Sequence, residues 1–122
     1  MDHASGFLNL VNDAKSRVNE ITIDHAQARL AANPLAVLVD VREEAEWKAG
    51  HADTAVHLGK GILERDIETR FPERDRELIL YCGGGFRSAL AADAAQKMGY
   101  RNVFSLAGGY KAMVAAGWKM EC

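Results

Sequence analysis

Apolar positions along the chain alternate between two spacings. Phe7, Leu10, Val11, Ala14 and Val18 recur at helical intervals, which predicts an amphipathic helix within residues 1–19. Its apolar face either packs on the rest of the chain or meets a second copy as a dimerisation helix. Ile21 and Ile23 then read as a short strand, and residues 24–32 as a helix that Asn33-Pro34 ends. "AVLVDV" at 36–41 is a continuous apolar run of strand length, the pattern of a strand buried on both faces. Residues 43–48 form a short helix with glutamates at its positive end, stopped by Gly50. "TAVHL" at 54–58 is a further strand, 60–69 a further helix, and 77–81 the strand that runs into Cys82. From Arg87 to Met98 the spacing of Leu90, Ala94 and Met98 predicts a helix, with Gly99 at its C-terminal cap. "NVFSL" at 102–106 is the last strand, and 109–116 a closing helix ended by Gly117.

Buried strands alternating with helices imply a parallel sheet covered on both faces, so the fold class is α/β. In such sheets ligands bind where strands end. Cys82 stands at such an end.

Composition narrows the function classes. A chain of 122 residues, 48% hydrophobic and 26% charged, supports one folded core. A net charge of -2 offers no basic excess to neutralise phosphates, so no nucleic-acid partner is expected. No apolar stretch approaches the length of a membrane span, and no membrane partner is expected. Met1-Asp2-His3 shows no basic segment ahead of an apolar run, so the expected location is cytoplasmic, with Cys82 and Cys122 reduced. His3, His25, His51 and His57 show no metal-ligand spacing with the cysteines, so no metal is expected.

Cys82 carries the candidate chemistry. The nucleophile is a thiolate, which needs its anion stabilised. The helix starting near Arg87 aims its unpaired N–H groups at the preceding loop. Gly83, Gly84 and Gly85 can take positive φ and curl their amides into an anion nest. Arg87 adds a fixed charge, and the glycines admit a substrate close to the sulfur. A buried structural cysteine needs none of these neighbours. Nucleotide-binding loops are a poor match, because neither Gly-x-Gly-x-x-Gly nor a closing Gly-Lys-Ser/Thr is present.

With these residues in view, the chain resembles the single-domain rhodanese (sulfurtransferase) family over roughly residues 20–120. The landmarks are "LVDVREEAEW" with Gly50-His51, "YCGGGFRSALAA", "MGYRNVFSLAGGY" and "AAG" at 115–117. The resemblance implies a five-stranded parallel sheet flanked by helices over 20–122, with the N-terminal helix as an addition. It implies that Cys82 takes sulfane sulfur from thiosulfate or a persulfide and passes it to cyanide, a thiol or a protein acceptor, with no metal or organic cofactor. The loop Gly83, Gly84, Gly85, Phe86, Arg87 and Ser88 would hold the persulfide, with Asp40 and Arg42 as structural support. Arg87 has two uses, clamping the donor or pairing with Asp40 or Glu46.

Three positions depart from the family pattern. Ala52-Asp53-Thr54-Ala55 replaces an Ile-Pro-Gly-Ala turn, Gly83 and Gly84 replace basic or polar side chains, and Met113 replaces a tryptophan. The bare loop predicts that thiosulfate, a dianion, is a poor donor. His51 reads as an orienting or core histidine, and Trp47 and Trp118 as packing or rim aromatics. Cys122 is either a resolving thiol or an incidental cysteine on a mobile terminus. The rival functions are a non-catalytic module of the same fold and a cysteine phosphatase or arsenate reductase. The latter space Cys and Arg one residue further apart than Cys82 and Arg87.

Overall fold

The computed structural model describes residues 3–122, so the first two residues of the 1–19 segment lie outside the described residues. Its elements are α1 (Ser5–Lys15), β1 (Asn19–Ile21), α2 (Ile23–Ala32), β2 (Val37–Asp40), α3 (Glu44–Ala49), β3 (His51–Ala52), β4 (Val56–His57), α4 (Lys60–Arg70), β5 (Leu78–Tyr81), α5 (Phe86–Lys97), β6 (Val103–Leu106), α6 (Gly109–Ala115) and β7 (Met120–Glu121). Five strands form one parallel sheet in the order β1-β6-β5-β2-β4. The fold is α/β, with helices on both faces of that sheet.

The apolar runs explain the sheet centre. Leu78, Ile79, Leu80 and Tyr81 of β5 are all buried, their side chains feeding the cores on the two faces alternately. Leu78, Leu80 and Cys82 belong to the core under α4 and α5, while Ile79 and Tyr81 join Leu38, Leu106 and Met113 opposite. Met113 is fully buried, filling its position without an indole. Alanines at 89, 91, 92 and 95 let α5 sit close to the sheet and to both α1 and α4. The N-terminal helix packs on α5 through Val11 and Ala14. Leu10, expected on that stripe, is instead 57% exposed, so the buried face is narrower than the spacing suggests.

The other departures are local. Ile23 opens α2 rather than extending the strand, because Thr22 is an extended N-cap whose hydroxyl accepts from the His25 N–H. The terminus beyond Gly117 is not free: β7 pairs antiparallel with β3, His51 opposite Glu121. Neither two-residue strand is long enough to show a period of its own. The strand expected over 54–58 shortens to Val56–His57, because Thr54 has φ +71. The Ala55 N–H reaches the Ala52 carbonyl at 3.1 Å, closing a turn with Thr54 in the left-handed position. That position favours glycine, and a β-branched residue is strained in it. Thr54→Gly is therefore expected to raise stability by about 0.5–1 kcal/mol after the entropy cost of glycine, measured by urea unfolding.

Candidate active site

Cys82 follows the central strand β5, and the chain turns through three glycines into α5. Its Sγ accepts main-chain N–H bonds from Gly85 at 3.1 Å and Ser88 at 3.3 Å, and the residue is 1% exposed. Gly85 is the only one of the three glycines at positive φ, +100. A Cβ there would meet the Gly108 nitrogen at 3.3 Å and the Leu106 carbonyl at 3.4 Å. Gly83 and Gly84 lack that conformation, so the nest rests on one left-handed glycine rather than three.

A hydroxyl pair lies behind the sulfur. Ser88 Oγ stands 3.6 Å from Cys82 Sγ and 2.8 Å from Ser105 Oγ, and both serines are fully buried. Either hydroxyl can donate, so the Ser88 proton can turn toward an anionic sulfur while Ser105 donates behind it.

The loop is held from the other side by α6. The Tyr110 N–H donates to the Cys82 carbonyl at 2.7 Å and the Lys111 N–H to the Gly83 carbonyl at 3.2 Å. Gly109, at φ +53, lies against that loop backbone. The paired glycines ahead of the last helix, in "LAGGY", carry this signal, but only the tertiary fold shows what approaches them.

Arg87 pairs with Glu46, its two terminal nitrogens on the two carboxylate oxygens at 2.6 and 3.1 Å. Asp40, the alternative partner for Arg87, instead holds Arg42 through Nη2 at 2.7 Å and Nε at 3.1 Å. Arg42 Nη2 also donates to the Gly50 carbonyl at 2.7 Å, and its guanidinium lies 4.2 Å from the Tyr110 ring centroid. Tyr81 OH accepts the Ala52 N–H; burial first, then the Asp40 carboxylate, push the phenol up, so it stays neutral. Trp47 stacks on His51 at 3.4 Å and on His57 at 5.0 Å between ring centroids. His51 Nδ1 donates to the Trp47 carbonyl at 2.8 Å, and His57 Nε2 lies 2.8 Å from the Arg42 carbonyl.

The Glu46 carboxyl is held below its usual range chiefly by the hydrogen bond from Arg87, against the opposing effect of burial. A depressed carboxyl stabilises the fold above its ordinary value of 4.5 and loses that contribution as pH falls through the lowered one. Side-chain exposures of 31% and 37% keep the pair's worth to about 1 kcal/mol or less. Glu46→Gln is expected to flatten the acid limb of the stability–pH curve, read by thermal melts at successive pH values.

A cavity of about 540 Å³ opens at the cysteine loop, lined by Cys82, Gly83, Gly84, Phe86, Arg87, Glu46 and Lys111, and by His3 and Phe7 from the N-terminal segment. The stripe spacing assigns Phe7 to a packing face; its place on the cavity follows from how α1 crosses α5. Cys122 is exposed, its Sγ 3.6 Å from the Ala49 carbonyl, and does not line this cavity.

Among the described residues no helix is long and apolar enough to cross a membrane. The family model for the rhodanese-like domain matches residues 22–116. A sulfurtransferase of Allochromatium vinosum is 34% identical over 92 residues, covering 75% of this chain and 84% of that protein. The tRNA uridine(34) hydroxylase of Sodalis glossinidius is 30% identical over 84 residues, but the chain spans only 24% of its length. A solved structure from Rhodopseudomonas palustris, of a protein of unknown function described as a "Possible Tyrosine Phosphatase", superposes with a TM-score of 0.86. It is 31% identical, and the match covers 99% of this chain and 98% of that one. The human single-domain sulfurtransferase TSTD1 shares the fold, with a TM-score of 0.70 at 24% identity over 80% of this chain and 96% of that one. By the family match over most of its length, the chain belongs to the rhodanese-like domain family.

Proposed function

We propose that this protein is a sulfurtransferase that carries sulfane sulfur as a persulfide on Cys82. The observation that carries the reading is the Cys82 Sγ at the end of β5, receiving main-chain N–H groups from Gly85 and Ser88. Donors aimed at one sulfur stabilise negative charge there without reorganising. In the first half-reaction Cys82 attacks the outer sulfur of the donor, and the donor's remaining fragment leaves with the bonding pair. In the second, a thiol or cyanide attacks the outer sulfur of the persulfide and Cys82 is regenerated, giving ping-pong kinetics. Arg87, tied to Glu46, braces the loop. Asp40 and Arg42 support the neighbouring strand end, with Arg42 reaching Gly50.

The description of the Rhodopseudomonas relative keeps phosphoryl transfer as the second reading. Against it stand the four residues between Cys82 and Arg87 and the bidentate engagement of Arg87 by Glu46. Intact-mass measurement after incubation with thiosulfate, an organic thiosulfonate and a persulfide separates the two. The expected result is a gain of one sulfur atom at Cys82 and no hydrolysis of aryl phosphates above background. Aryl phosphate turnover with no sulfur loaded from any donor would replace sulfur transfer by phosphatase chemistry.

A further inference from the structure

The cavity over Cys82 is built for more than an inorganic ion. Neither Gly83 nor Gly84 has positive φ; a Cβ on Gly83 would stand 3.1 Å from Arg87 Nη2, whereas one on Gly84 would meet nothing within 4 Å. What the bareness of Gly84 leaves is space. That space faces an aromatic wall: the His3 and Phe86 ring centroids lie 4.7 Å apart, His3 and Phe7 5.2 Å, and Phe7 and Phe86 6.3 Å. Two of the three rings come from the N-terminal segment, before the residues 22–116 that match the family. The charge on the lining is limited. Arg87 is engaged by Glu46, whereas Lys111 forms no ion pair among the described residues.

Resting on the sulfurtransferase reading, we infer that the sulfur donor is an organic monoanion with a ring-sized apolar body, R–SO2–S⁻ or R–S–S⁻, seated on His3, Phe7 and Phe86. Thiosulfate would leave most of the 540 Å³ unfilled and place two negative charges beside three aromatic rings. A ring on the wall gains burial and edge-to-face contact that a methyl group does not. Lys111 supplies one cation for one anionic group. In the transfer the Cys82 thiolate forms a bond to the outer sulfur as the donor's S–S bond breaks. The electron pair leaves on the sulfinate R–SO2⁻ or the thiolate R–S⁻; no external oxidant or reductant takes part.

The test compares the sodium salts of benzenethiosulfonate and methanethiosulfonate, which share a sulfinate leaving group, in the intact chain and in Phe7→Ala. The intact chain is expected to favour the aryl donor by about tenfold or more in kcat/KM for persulfide formation. That ratio should fall about fivefold in Phe7→Ala, mainly through KM. His3→Ala, outside every helix and strand, should lower the same ratio and serves if Phe7→Ala fails to fold. A ratio unchanged in both variants, with Cys82 still loaded, would overturn the aromatic site. Binding of benzenesulfinate and methanesulfinate to Cys82→Ser, followed by calorimetry, keeps the two levels apart. Equal affinities for the two sulfinates would sink the inference alone. Preferential binding of benzenesulfinate with no sulfur loaded by any donor would keep the site and remove the sulfurtransferase.

Discussion

Cys82→Ser is expected to lower thiocyanate formation from a sulfane donor and cyanide by at least about a thousandfold, while Cys122→Ser leaves it within about twofold. A serine hydroxyl in the same place is a poor nucleophile toward sulfur and cannot hold a persulfide, although Gly85 and Ser88 still point their N–H groups at it. Cys122 lies on the surface against the Ala49 carbonyl, outside the cavity lining. If the Cys122 change alone stopped turnover, that thiol would be the resolving group and the single-cysteine cycle would be wrong. Both variants should melt like the parent, since neither substitution removes much volume.

The second large effect lies outside the cysteine loop itself. Gly109→Ala would drive a Cβ into hard overlap with the Cys82 carbonyl oxygen and place it 2.9 Å from the Gly83 carbonyl group, at a left-handed φ. None of these neighbours is a flexible side chain that could swing away. Relief requires α6 to back off, which breaks the bonds from Tyr110 and Lys111 to the loop carbonyls. The expected cost is about 3 kcal/mol or more by urea unfolding, with turnover falling in the fraction that remains folded. Gly84→Ala is the control. With open space around it, stability should stay within about 0.5 kcal/mol. Equal stability of the two variants would show that α6 does not clamp the loop.

How much of this was legible beforehand depends on the range of the interaction concerned. The runs ending at Asp40, Tyr81 and Leu106 announced buried parallel strands, because a strand covered on both faces has no polar alternation to blur it. The loop from Cys82 to Ser88 was equally plain, since its residue types and spacing are local. Ile23 misled because alternation with Ile21 mimics a strand, and only Thr22 as a capping residue argues otherwise. Glu46 and Asp40 are both partners for Arg87 on the sequence alone, and nothing local chooses between them. In the sequence Gly83 and Gly84 look like copies of Gly85; what distinguishes Gly85 is its positive φ and the close approach of Gly108 and Leu106, far along the chain. The cavity role of Phe7 was hidden for the same reason. A helical stripe says which residues share a face, not what stands opposite each turn.

The strand order also bears on how the chain is made. Asn19 of β1 pairs with Phe104 of β6, and the carbonyls of Cys82 and Gly83 accept their bonds from the first turn of α6. A nascent chain emerging from its N-terminus therefore cannot close the sheet or pin the loop until β6 and α6 have left the ribosome. Until then Cys82 is an ordinary, accessible thiol, open to oxidants and to stray disulfide partners. The late arrival of α6 turns synthesis itself into the interval of greatest chemical risk for Cys82, the residue proposed to carry the sulfur.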